Sequence, residues 1–144
     1  MEDITSKYIG RDQNVPIGMN QYLIINGIDK EPVFRFYDII SCSAIVFKCE
    51  RGFVGFHYEA EGLLNDRINY SERMKRMINA IVRSVGDIKW VICFTPGVKD
   101  QYTNAEKDEY CIAQFFMDEM RLRYMNVYSI EEVTHQIDWK RDTV

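Results

Sequence analysis

Histidine and proline are scarce in this chain: two and three residues respectively in 144. Long apolar runs are missing altogether. A membrane helix needs about 20 consecutive apolar residues, and no stretch approaches that, so no membrane partner is expected. Closely spaced cysteines are missing too. Cys42, Cys49, Cys93 and Cys111 are spread out with no CxxC, whereas structural zinc sites pair their ligands at short spacing. No metal or cofactor is expected. Positive charge is not in excess either. Eighteen Lys and Arg stand against twenty-two Asp and Glu, a net charge of −4. Phosphate neutralisation supplies most non-specific nucleic-acid affinity, so nucleic acid is not an expected partner. The first residues, Met1 to Lys7, lack the basic head and apolar stretch of a secretory signal. A cytoplasmic location with reduced thiols is the expectation.

What is present is an ordinary soluble composition, 47% apolar and 28% charged. The length suits one domain, residues 1–144. Residues 1–20, with Gly10, Asn14, Pro16 and Gly18, show little periodicity and read as a loosely ordered lead-in. Tyr22-Leu23-Ile24-Ile25 reads as a strand closed by Asn26-Gly27. Val33 to Tyr37 alternates and reads as another.

The richest segment runs from Ile39 to His57. Cys42 to Lys48 and Phe53 to Tyr58 are dense in β formers, with a turn-like Cys49-Glu50-Arg51-Gly52 between them. This predicts an antiparallel hairpin. Both its faces are largely apolar, which places it deep in a sheet.

A helix follows, with Met74, Met77, Ile78, Ile81, Val82 and Val85 on one stripe. Asn69 with Glu72, or Ser71, is its expected cap, and Gly86 its stop. Trp90 to Phe94 reads as a buried strand ended by Thr95-Pro96-Gly97. Thr103 with Glu106 opens a second helix to about Arg121, its stripe Ile112, Phe115, Phe116 and Met120. Asn126 to Ile130 is a last short strand, parallel to the Trp90 strand after the crossover. The fold class is α+β: a mixed sheet or sandwich with a central hairpin and two main packed helices.

Chemistry requires a reactive group and a partner for it. A catalytic cysteine needs a base to hold its thiolate, and histidine titrates in the right range. His135 sits in the polar segment Glu131 to Gln136, where a solvated role is expected. His57 lies in the apolar strand, fifteen residues after Cys42. If Lys48 faces Phe53 across a four-residue loop, Ala44 faces His57, and Cys42 is its diagonal neighbour on the same face. Diagonal neighbours are about 7–8 Å apart at the backbone. Gly55 would lie beside His57 on that face and leave space for a substrate, or simply a gap. Cys49 would lie in the turn. Cys93 and Cys111 read as packing residues. Alternatively, His57 is a core histidine satisfied by a backbone carbonyl.

The run Ser41-Cys42-Ser43-Ala44-Ile45-Val46, with His57 on the next strand, resembles the cysteine deamidases. These include the cytotoxic necrotizing factor toxins and the CheD-like chemoreceptor glutamine deamidases. The likeness is close over Ile39 to Gly62 and weak as far as Val98. The toxin motif has Gly where this chain has Ser41, and CheD-like enzymes have Thr where it has Phe36. The toxin type orients its histidine through a backbone carbonyl instead; Tyr22 and Asn26 are candidate side-chain substitutes.

The resemblance implies a protein-glutamine deamidase with Cys42 as nucleophile and His57 as base. Its partner would be a target protein carrying a reactive glutamine, attacked through a thioester, with no cofactor. It also implies a bacterial effector or toxin, acting in its own cytoplasm or in that of a target cell. The competing reading is a non-enzymatic interaction module of the immunity or adaptor type. Such a module would grip its partner through helix faces. The basic residues Arg67, Arg73, Lys75, Arg76 and Arg83 read either as a solvated face or as a docking site for an acidic partner.

Overall fold

The computed structural model describes residues 1–8, 15–27, 33–37, 42–58, 67–96, 125–130 and 134–138. Its elements are β1 (Glu2–Asp3), β2 (Pro16–Ile17), β3 (Gln21–Asn26), β4 (Val33–Tyr37), β5 (Ser43–Cys49), β6 (Gly52–Tyr58), α1 (Arg67–Arg83), β7 (Ile88–Pro96), β8 (Met125–Ile130) and β9 (Thr134–Asp138). The architecture is mixed α+β and rich in strand. The helix expected from Thr103 to Arg121, which contains Cys111, lies outside the described residues.

Six strands form the main sheet in the order β1-β3-β6-β5-β7-β8. The β5–β6 hairpin fills its middle, because strands apolar on both faces are stable only where both faces are covered. Lys48 pairs with Phe53 and Ala44 with His57, the expected register. The loop is shorter than expected. Cys49 pairs with Gly52, leaving Glu50-Arg51 as a two-residue turn. Two and four are both even, so the shortening leaves every side chain on its expected face. β7 runs antiparallel to β5, and β8 runs parallel to β7. A second sheet has the order β2-β4-β9, with β2 parallel and β9 antiparallel to β4.

Alternation along the strands divides the core into two layers. Leu23, Ile25, Ala44, Val46, Phe53 and Ile92 pack against Ile17, Phe34 and Phe36 from the second sheet. Ile45, Phe47, Val54, Phe56 and Tyr58 pack under Met74, Ile78 and Val82 of α1. The helix stripe is as expected, with Val85 buried just beyond the helix end. Gly86 has a φ of +108°, the left-handed conformation of a C-terminal stop. The start differs from expectation. α1 begins at Arg67, so Asn69 and Ser71 are interior helix residues rather than caps.

The first twenty residues contribute more than a loose lead-in would. β1 pairs with β3, the Ile4 amide donates to the Tyr22 carbonyl, and Ile4 and Ile17 are core residues. Two-residue strands with single apolar anchors have no period to read in a sequence.

Candidate functional site

His57 lies in one cross-strand row of the main sheet, opposite Gln21 on β3 and opposite Ala44 on β5. Its ring projects into the layer between the sheets and is fully buried. Nδ1 lies 2.8 Å from the Ile17 carbonyl oxygen. A carbonyl can only accept, so Nδ1–H donates, and in the neutral ring the lone pair sits on Nε2. Nε2 is buried as well. The Phe36 ring meets the imidazole edge-on, with centroids 6.2 Å apart. Phe36, six residues before Cys42, is therefore an aromatic wall beside His57.

Cys42 lies one residue ahead of β5 and is 2% exposed. It precedes the β5–β6 ladder, whose end row pairs Ser43 with Tyr58, next to the Ala44–His57 row. The expected space over Gly55 is filled. A Cβ on Gly55 would come within 2.5 Å of the Phe34 ring, so the missing side chain there accommodates an aromatic ring.

The remaining candidates separate cleanly. Cys49 is the last ladder residue of β5 rather than a loop residue, and it is buried on the α1 face. Burial pushes its thiol up to about 12, only partly offset by the nearby Arg83 and Arg51 charges. It is a packing residue on the wrong side of the sheet. Tyr22 stacks on Phe56 with centroids 5.5 Å apart, on the α1 face. Its hydroxyl bonds to Asp3. Asn26 is exposed at the end of β3 and alternates to that same face. Neither can orient His57, and the Ile17 main chain does so instead. His135 lies on β9, in register with Phe36, where a solvated segment was expected; its side chain lies outside the described residues.

No family model and no curated protein matches this chain.

Among the described residues, no group of three or more His, Cys, Asp and Glu comes together as a metal site would require. No helix among them is long and apolar enough to cross a membrane. On the basic helix, Lys75 pairs with Glu72 at 3.2 Å and Arg83 reaches Asp87 at 3.9 Å, exposed pairs of little energetic consequence. Arg73 lines a cavity of roughly 390 Å³ with Met1, Asn20, Met74 and Met77. Three of these methionines belong to the α1 face of the sheet, away from His57.

Proposed function

We propose that the protein is a cysteine-dependent protein-glutamine deamidase, with Cys42 as nucleophile and His57 as general base and acid. The observation that supports it is the carbonyl-held imidazole, with Nδ1–H fixed on Ile17, on the strand paired with the one that Cys42 leads into; Nε2 is then the working nitrogen. In this reading the Cys42 thiol passes its proton to Nε2, and the thiolate attacks the glutamine carboxamide carbon. The imidazolium returns the proton to the amide nitrogen, the C–N bond breaks and ammonia leaves. Nε2 then takes a proton from water. The resulting hydroxide attacks the thioester carbon and the C–S bond breaks. Glutamate and the regenerated thiol remain. Neutral glutamine becomes a charged carboxylate, which alters any interface built on it.

The pair is closed in this structure, so the reading requires the Cys42 end of β5 to open for an amide. That closure is also what favours the second reading, an interaction module in which Cys42 and His57 simply pack. Two measurements separate them. Partners captured by pull-down are incubated with the protein, and ammonia release and amide-to-acid conversion of glutamine are followed. Cys42→Ala and His57→Ala should each lower the rate by at least about a thousandfold, as for members of a catalytic unit, with circular dichroism unchanged. Iodoacetamide at about pH 6, below the unperturbed thiol range, should label Cys42 selectively. Full activity of Cys42→Ala, or four equally sluggish thiols, leaves only the module.

A further inference from the structure

The hydrogen bond that fixes His57 does not stop at Ile17. The oxygen that accepts from Nδ1 and the N–H of Gly18 belong to the same peptide group. That N–H donates to Gln21 Oε1 at 2.8 Å. Gln21 Nε2 in turn donates to Glu2 Oε1 at 2.7 Å. The Gln21 amide orientation is determined by this arrangement, since only one assignment gives Gly18 an acceptor and Glu2 a donor. The Gln21 amide N–H also closes the turn on the Gly18 carbonyl at 3.1 Å. Gln21 is moreover the direct cross-strand partner of His57.

We propose that Gln21 is a positioning residue for His57, clamping the Ile17–Gly18 peptide so that its carbonyl holds Nδ1–H and leaves the Nε2 lone pair toward the site. Hydrogen bonds in series polarise one another. Donation by the Gly18 N–H to Gln21 shifts electron density onto the Ile17 oxygen, which makes it a better acceptor for Nδ1–H and keeps it in one orientation. Glu2 is the outer end of the chain. It is exposed, so water and salt screen its influence, and the Gly18–Gln21 bond carries most of the effect. The catalytic meaning of the clamp rests on the deamidase reading; the clamp itself does not.

The test is nitrogen NMR on the full chain labelled at histidine. His135→Asn leaves one imidazole to observe, because the sequence has only two histidines. The wild-type ring should be predominantly the Nδ1–H tautomer. Gln21→Met removes the acceptor and keeps the length; the ratio of Nδ1–H to Nε2–H should fall about fivefold, the worth of one ordinary hydrogen bond. Gln21→Glu combined with Glu2→Gln restores an acceptor for Gly18 and a donor between the two side chains, and should bring the ratio back, while Glu2→Gln alone should change it less than Gln21→Met does. A purely structural Gln21 would lower stability and leave the tautomer ratio alone, and that result overturns the proposal. Should Gln21→Met not fold, the wild type still decides. A Gly18 amide that exchanges with solvent as fast as an open loop would show that the clamp does not exist. If Cys42→Ala proves fully active while Gln21→Met shifts the tautomer, the deamidase reading fails and the clamp stands.

Discussion

The two faces of the main sheet use the same strands for opposite ends. Under α1 the layer is mostly aromatic and aliphatic: Phe47 meets Phe56 edge-on at 5.8 Å, and Cys49 is sealed in the same layer. A thiol there is kept protonated by burial and does nothing but pack. Between the sheets the layer is just as tightly filled by Phe34, Phe36 and Ile17, yet it contains an imidazole held by a main-chain carbonyl. The lesson is that a polar side chain is buried in a packed layer when the main chain of another segment supplies its hydrogen-bond partner. An imidazole with one nitrogen committed to a carbonyl has a defined tautomer and therefore a defined chemistry at the other.

Three experiments would break or sharpen this contrast. The largest effect is expected from Phe47→Ala. It should cost about 3–5 kcal/mol, the range for truncating a buried aromatic, in denaturant unfolding. The His57 tautomer should stay unchanged, because the helix-side layer is separate from it; a shifted tautomer would show the faces to be coupled. Next is the alkaline limb of stability. Folding keeps the Cys49 thiol protonated up to about pH 12, against 9.0 for the unperturbed group. Above pH 9 the unfolded chain holds fewer protons, so this contribution is intact below that pH and is lost as pH rises toward 12. Wild type should lose more stability than Cys49→Ala over that window. Equal slopes would mean Cys49 is not sealed. The smallest effect is expected from Gly55→Ala, which drives a methyl into the Phe34 ring. Overpacking of this kind costs about 1–3 kcal/mol. Because Phe34 stacks beside Phe36 at 6.2 Å, the His57 resonance should move as well. A neutral Gly55→Ala would show that the wall over His57 is loose.

Much of this was readable from residue order. The β5–β6 register followed from counting residues across the turn, and the α1 stripe and its Gly86 stop followed from period and turn chemistry. The pairing of Ala44 with His57 followed from the same count. Other features were not legible. Val33 to Tyr37 reads as a strand, but nothing in its alternation says that it joins a second sheet and covers the first. Gly55 could signal a gap or a close approach, and only the position of Phe34 decides which. The group that orients His57 is a backbone carbonyl, which every residue possesses, so no side-chain pattern could single out Ile17.

The sequence by itself determined which residues alternate and which strands pair locally, because those depend on short-range periodicity. Only the tertiary structure decided what lies on that face. The second sheet arrives from distant segments and brings Ile17, Phe34 and Phe36 onto the hairpin. Whether an imidazole is anchored or loose, sealed or open, depends on atoms contributed from elsewhere in the chain.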